Sequence, residues 1–224
     1  MQVTLTTPQD APPVAAEIDP ALYGKTAYEK RRRILTLGFV ACVVISILIT
    51  STRWGTTGIA GDLFFLAGVT LAMTGCLGRL WSGLFIAGYK SRELITCGPY
   101  ALCRNPLYFF SAIGLIGIGL MACTLTVPLV FAVAFAVYYP TIIASEEVRL
   151  QGRHGAAFED YCRTTPAFWP RFRAYHEPET YLIHLQPLRR NFVDAAWFVL
   201  LAVFVHIAAE LHTRGFLPTV FTAW

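Results

Sequence analysis

The class of fold follows from the stretch Ile59–Ala87, which has the sequence IAGDLFFLAGVTLAMTGCLGRLWSGLFIA. A helix on the surface of a soluble protein shows a polar face at every turn, and this stretch has no such face. About 20 apolar residues cross the roughly 30 Å of hydrocarbon in a bilayer. The stretch is therefore predicted to be a membrane-spanning helix that is long enough to tilt.

Four further apolar blocks come close to the length of a span: Ile34–Thr50, Leu107–Cys123, Val127–Ala144 and Phe192–Ala209. Of the 224 residues, 55% are hydrophobic and 14% are charged, and the mean hydropathy is +0.53. Too little polar sequence remains to cover these blocks as the core of a soluble domain. We predict an all-α integral membrane bundle with about five transmembrane helices.

The basic residues predict the orientation of this bundle. Of the 18 Lys and Arg residues, only Arg53 and Arg214 fall on the side opposite to the N-terminus. Loops rich in Lys and Arg face the cytoplasm, so we expect a cytoplasmic N-terminus in a bacterial inner membrane. We expect no secretory signal, because residues 1–30 are polar and lack a short apolar core. The net charge of +4 then reflects topology, and no nucleic-acid partner is predicted.

The predicted organisation has three parts: a cytoplasmic tail at 1–33, a core of four spans and cytoplasmic motif segments at 34–173, and a linker with the fifth span at 174–224. The six cysteines form no C-x-x-C pair and no Cys/His spacing that suits zinc. We expect no metal site and interpret the cysteines as small apolar side chains in a reducing compartment.

Two polar stretches adjoin the spans on the predicted cytoplasmic side, and the first is Lys90–Phe110, KSRELITCGPYALCRNPLYFF. Gly98 and Pro99 predict a turn, and Pro106 suits the first position of the third helix. Asn105 then takes the N-cap position, where the free backbone N–H groups of the helix start favour an anion.

Arg104 and Tyr108 flank this helix start. The arginine adds a cation, and the tyrosine ring lies in the first turn, close to whatever binds there. A capped helix with an interfacial arginine and an aromatic belt would show the same residues, so both interpretations stay open at this point.

The second polar stretch is Glu146–Arg173, EEVRLQGRHGAAFEDYCRTTPAFWPRFR. Glu146 and Glu147 are predicted at the C-terminal end of the fourth span, where adjacent carboxylates oppose the helix dipole and call for a cationic partner. That partner is either a ligand or Arg149, which follows Glu146 within side-chain reach on a helix. The rest of the stretch predicts an aromatic, kinked segment along the membrane surface, formed by Phe158, Tyr161, Pro166, Trp169 and Pro170.

An anion site, two carboxylates and aromatic rings together suit S-adenosylmethionine, although they do not single out that cofactor. Its carboxylate fits a helix N-terminus with an arginine, its ammonium and hydroxyls fit glutamates, and its sulfonium fits an aromatic face. No Rossmann-type site is predicted, because the sequence Gly117-Ile118-Gly119 lies inside an apolar span with no strand before it. We interpret these glycines, with Gly68 and Ala72, as helix-packing surfaces.

The segment Gly98–Tyr108, GPYALCRNPLY, resembles the G-P-Y-x-x-x-R-H-P-x-Y signature of the isoprenylcysteine carboxyl methyltransferase and phospholipid N-methyltransferase superfamily. The segment Glu146–Pro166 is similar to the second signature of that superfamily, E-E-x-x-L followed by F-G, Y-x-x-Y and V-P elements. The two segments lie about 40 residues apart across a helical hairpin, and the resemblance covers Leu80–Arg173. On these segments the chain is identified as a member of the superfamily.

The resemblance implies a membrane-embedded methyltransferase with a cytoplasmic-side pocket for S-adenosylmethionine. It also implies a lipid or small hydrophobic acceptor, a carboxylate, amine or thiol, that enters from the bilayer. By position, one wall of the cofactor site would be formed by Gly98, Pro99, Tyr100, Arg104, Asn105 and Tyr108. The other wall would be formed by Glu146 and Glu147.

Two positions depart from the signatures. Asn105 stands where the superfamily has a histidine, and its amide carries no positive charge for a carboxylate. Thr164 replaces an arginine that the superfamily associates with the acceptor or with catalysis, while Arg163 lies one place earlier. We therefore predict that Arg163 or Arg171 takes this catalytic role, with Arg163 preferred.

Other classes of function stay open on the sequence. His154 is a candidate general base, and a surface histidine beside Arg153 is the simpler interpretation. A sterol-reductase-like enzyme that binds NADPH would share the membrane scaffold. A non-enzymatic transport or structural subunit would be expected to show ionisable groups deep in its spans, which are largely uncharged here.

Overall fold

The structure is a computed structural model that describes residues 38, 41, 44–45, 47–48, 50–52, 58–87, 89, 93–217 and 221–223. The predicted tail at 1–33 and most of the first apolar block, Ile34–Thr50, lie outside the described residues. In chain order the helices are α1 (Ile59–Ile86), α2 (Pro99–Leu102), α3 (Pro106–Leu120), α4 (Thr126–His154), α5 (Ala156–Thr164) and α6 (Leu185–Thr213).

Two short elements complete the described fold. A single turn of 3₁₀ helix covers Phe172–Ala174. The strand β1 (Thr50–Thr52) pairs in parallel with β2 (Phe221–Ala223), with Thr50 opposite Phe221. This pairing joins the end of the first apolar block to the end of the chain, and the fold is otherwise built from helices.

The predicted all-α membrane bundle is confirmed. Helices α1, α4 and α6 have 28, 29 and 29 residues and are apolar enough to cross a membrane. Helix α3 has 15 residues, about 22 Å at 1.5 Å per residue, so it is shorter than the hydrocarbon core of a bilayer. The described residues thus show three membrane-spanning helices and a shorter apolar one.

Two helix boundaries differ most from the prediction. Helix α4 runs past Ala144 to His154, and α6 begins at Leu185 rather than at Phe192. Glu146 therefore lies about two turns before the end of α4, and the predicted conflict with the dipole at a helix C-terminus was wrong. The helix continues because the Glu, Arg, Leu and Gln residues that follow the apolar block are good helix formers.

Helices α1 and α3 approach each other at glycines. A Cβ atom added to Gly75 would lie 2.4 Å from Gly114 Cα, and one added to Gly117 would lie 2.4 Å from the backbone nitrogen of Ala72. A Cβ on Gly68 would lie 2.8 Å from the carbonyl oxygen of Gly117. The predicted packing role of Gly68, Ala72 and Gly117 is confirmed, because only small residues permit such close backbones in a membrane.

The core lies between α3, α4 and α6. Ile118, Val127, Phe131 and Val205 are all fully buried there, and Ile47 from the first apolar block joins the same cluster. This packing fixes the start of α3 beside the last turns of α4, where both signature segments lie.

We predict that Gly75→Ala lowers the free energy of unfolding by about 1–3 kcal/mol, because the added methyl group meets the backbone of α3. Gly152→Ala is the matched control, since it adds the same group to α4 in open space and stabilises a helix by up to about 1 kcal/mol. Thermal unfolding in a mild detergent measures both variants. Equal effects of the two substitutions would contradict the close approach of α1 and α3.

Candidate functional site

A cavity with about 1180 Å³ of open space, counting its mouth, lies among the helices at one end of the bundle. It is lined by the last turns of α1, the start of α3, the late turns of α4 and the start of α6. Most of the predicted cofactor residues line it: Tyr100, Arg104, Asn105, Tyr108, Glu146 and Glu147. The structure thus brings the two signature segments together on one cavity.

Arg104 is the most heavily bonded side chain of the site. Its Nη2 and Nε atoms donate to Glu147 Oε1 at 2.9 and 3.1 Å. Its Nη1 donates to the carbonyl oxygens of Cys162 and Thr165, both at 3.1 Å. These bonds occupy every guanidinium N–H group except one on Nη2. Arg104 therefore ties the start of α3 to α4 and α5, and little of it is left for a ligand.

The other carboxylate of the pair, Glu146, is bonded to side chains from both α3 and α4. Tyr108 donates its hydroxyl to Glu146 Oε2 at 2.9 Å, and Arg149 donates to Glu146 Oε1 at 3.1 Å. The tyrosine ring also packs edge-on against Tyr139, with centroids 5.1 Å apart. The internal partner Arg149 that the sequence left open is therefore present, and Tyr108 is a second partner from the first signature.

Two buried tyrosines support the wall formed by α2. Tyr161 donates its hydroxyl to the carbonyl oxygen of Tyr100 at 2.7 Å. Burial raises the pKa of Tyr100 well above its ordinary value, and burial raises the pKa of Tyr161 in the same direction. Both phenols therefore stay protonated near neutral pH and do not serve as bases.

Gly98 and Pro99 shape the turn before α2 without lining the cavity. The φ angle of Gly98 is +59°, and an added Cβ would lie 2.4 Å from the ring of Phe85. Both facts require glycine at this position. Pro99 is fully buried at the first position of α2. The predicted turn is confirmed, and these two residues support the wall from behind.

The segment after α5 runs beside the first signature and is hydrogen-bonded to it. The backbone N–H groups of Arg104 and Gly98 donate to the carbonyl oxygens of Pro166 and His176, at 2.9 and 2.8 Å. The side chain of Asn105 donates to the carbonyl oxygen of Ala167 at 2.9 Å. Asn105 does occupy the predicted N-cap position of α3, but its side chain makes no capping bond. Its amide instead tethers this segment.

The structure does not bring the predicted catalytic arginines to the cavity. Arg163 points to solvent, with 75% of its side chain exposed, and its ion pair is with Asp160 at 3.3 Å. Arg171 is also exposed, whereas the candidate base His154 is half-buried, and neither residue lines the cavity. The rotation of α5 places Phe158 and Tyr161 inward, which turns Arg163 outward.

Four polar residues that were not predicted from the sequence also line the cavity: Arg79, Glu93, Asn191 and Asp194. Arg79 lies about two turns before the end of α1, inside the spanning helix rather than in the loop after it. A cation within an apolar span is itself a signal of function, and that signal was available in the sequence. Asn191 and Asp194 gave no such signal, because their contribution depends on how α6 packs.

The described part of the chain holds no group of three or more His, Cys, Asp or Glu residues that could bind a metal ion. Cys103 is fully buried, and burial raises the pKa of its thiol to about 11. At neutral pH this thiol is protonated and therefore a poor nucleophile.

Residues 32–157 match the family model of phospholipid methyltransferases. The match covers more than half of the 224 residues, and the chain belongs to this family. The superfamily membership predicted from the two signatures is confirmed. The matched region ends before α6, so Asn191 and Asp194 lie outside it.

Two relatives are similar over most of the chain. The nickel-cobalt-cadmium resistance protein NccN of Alcaligenes xylosoxydans xylosoxydans is 40% identical over 192 residues, which cover 84% of this chain and 88% of NccN. The cobalt-zinc-cadmium resistance protein CzcN of Cupriavidus metallidurans is 40% identical over 185 residues, which cover 82% of this chain and 84% of CzcN. No solved structure matches the chain.

We predict that Arg104→Gln lowers the free energy of unfolding by about 2 kcal/mol, because Glu147 and two carbonyl groups lose a charged donor. Arg163→Gln is the control, since its exposed ion pair contributes about 0–1 kcal/mol. Chemical or thermal unfolding in detergent measures the difference. A stability loss at position 163 as large as that at position 104 would contradict the bonding described for Arg104.

Proposed function

We propose that the chain is a methyltransferase that binds S-adenosylmethionine in the cavity and methylates a lipid or small hydrophobic acceptor. The observation that carries the proposal is the meeting of the two signature segments, through the Arg104–Glu147 and Tyr108–Glu146 contacts, on the wall of one cavity. The membership of the phospholipid methyltransferase family supports the same class of reaction.

The chemical groups on the cavity wall fit this cofactor. Both bonds from Arg104 end on Glu147 Oε1, and none of the described residues donates a hydrogen bond to Glu147 Oε2. That oxygen suits an ammonium or a ribose hydroxyl. The start of α3 and the remaining N–H of Arg104 suit a carboxylate, and the ring of Tyr108 suits a sulfonium. When bound, the cofactor supplies a methyl group activated by its positively charged sulfur.

In this reaction the protein orients the cofactor and the acceptor, and it excludes water from the cavity. Methyl transfer proceeds in line, with the acceptor atom opposite the sulfur, so the groups that hold both partners in place decide the rate. Apolar residues of the cavity, including Ile86, Leu94, Ile95, Leu107 and Leu150, suit a lipophilic acceptor and keep water away. A carboxylate acceptor needs no base, whereas an amine or a thiol must give its proton to a group on the wall or to water.

We predict that the purified chain in detergent binds S-adenosylmethionine and that Glu147→Gln weakens this binding about tenfold or more, because the ligand loses a charged acceptor. Isothermal titration calorimetry measures both. Glu159→Gln is the matched control, since Glu159 is exposed on α5 and does not line the cavity. A titration with NADPH, for which no heat is expected, tests the sterol-reductase-like alternative. A wild-type chain that binds NADPH and not S-adenosylmethionine would overturn the proposal.

The two relatives suggest the physiological setting. Both are named as resistance proteins for divalent metal cations, and the described residues of this chain hold no cluster suited to such an ion. We propose that the chain contributes to metal tolerance through methylation of a membrane constituent rather than through binding of the metal.

The setting is tested by growth on cadmium and cobalt salts of a sensitive host that expresses the wild-type chain or Glu147→Gln. We expect protection from the wild-type chain only, with both proteins present at equal levels in the membrane. Equal protection by the two would show that the cavity chemistry is not needed for tolerance. Lipid extracts of the same cells, compared by mass spectrometry, should show a methyl-sized mass difference.

A further inference from the structure

Arg79 is a cation inside an apolar spanning helix, and it lines the same cavity. Its guanidinium lies over the ring of Phe198, with 5.0 Å between Cζ and the ring centroid, and its Nη1 donates to the hydroxyl of Ser111. Ser111 in turn donates to the carbonyl oxygen of Leu107 at 2.6 Å. The charged group is therefore held in place from α3 and α6 by neutral partners.

Arg79 differs from the other two arginines of the cavity wall in its lack of an acidic partner among the described residues. Arg104 pairs with Glu147 and Arg149 pairs with Glu146. Within the described ranges, no carboxylate lies within 4.0 Å of the Arg79 guanidinium, and its Nε is buried without a hydrogen-bond partner. A buried guanidinium N–H without an acceptor is unfavourable unless a ligand supplies one.

We propose that Arg79 binds the anionic head group of the methyl acceptor, a phosphate or a carboxylate on an apolar chain. The proposal rests on the proposed function, since it concerns the acceptor side of the same cavity. A guanidinium matches both oxyanions with paired N–H donors, and its position within a spanning helix suits a head group that arrives from the bilayer. Arg79 is then a residue that determines specificity and lies apart from the Glu146 and Glu147 pairs.

Asp194 provides a second test of this proposal, because its charge is opposite to that of Arg79. It lines the cavity from α6, four residues before Phe198 on the same face of the helix. Its negative charge opposes an anion held at Arg79. An anion site therefore predicts opposite effects for the two residues, with weaker binding on loss of Arg79 and tighter binding on loss of the Asp194 charge.

The experiment uses the full chain in a neutral maltoside detergent, titrated with decyl phosphate, decanoate and decanol. We expect the two anions to bind, with decanol at least about tenfold weaker. Arg79→Gln should raise the Kd of both anions about tenfold or more, Arg79→Lys should retain part of the affinity, and Asp194→Asn should lower the Kd. A comparison of decyl phosphate with decanoate distinguishes the two oxyanions. Binding of S-adenosylmethionine to each variant, measured separately, should change by a smaller factor than binding of the anions.

The outcomes separate this proposal from the one it rests on. Equal binding of decanol and decyl phosphate, or unchanged affinity in Arg79→Gln, overturns the anion site. A variant Arg79→Gln that loses both the anion and S-adenosylmethionine together with its thermal stability shows a structural role for Arg79 and also overturns it. A wild-type chain that binds the anions and fails to bind S-adenosylmethionine instead contradicts the proposed methyltransferase function.

Discussion

The site depends on the guanidinium group of Arg104, whose hydrogen bonds must be made by the protein because little water reaches it. The side chain of Arg104 is only 15% exposed, and a charge in such a position is stable only with its hydrogen bonds made. Its acceptors come from the late part of α4 and from the end of α5 and the residue after it. The first signature is therefore held in its conformation by elements that are distant from it in sequence.

Other features of the fold make this contact available. The glycines of α1 and α3 let two helices pack backbone to backbone, which fixes the height of the α3 start relative to the last turns of α1. The polar extension of α4 carries Glu146 and Glu147 beyond the apolar block, opposite Tyr108 and Arg104. The segment after α5 then holds the first signature in place through backbone hydrogen bonds. The result is a cavity between the helices whose largely apolar wall carries a small set of charged and polar side chains.

Much of this arrangement could be predicted from the sequence. Hydropathy predicts the spans because a bilayer leaves the backbone no choice but the helix, and the signatures predict the facing walls because their spacing matches a known family. The end of α4 was missed because hydropathy reports where the membrane ends and not where the helix ends. Arg163 was chosen on spacing alone, whereas the rotation of α5 faces it to solvent. Asn191 and Asp194 could not be predicted as site residues, because no local sequence pattern shows which side of α6 packs against the other helices.

If the contact between Tyr108 and Glu146 belongs to the cofactor site, a double-mutant cycle on S-adenosylmethionine affinity should show that the two residues act together. The cycle combines Tyr108→Phe with Glu146→Gln, and calorimetry gives the Kd of each protein. We expect each single change to weaken binding and the double variant to be little weaker than the worse single one, with a coupling energy of about 0.5–3 kcal/mol. Losses that simply add, or a wild-type chain without measurable affinity, would contradict the account.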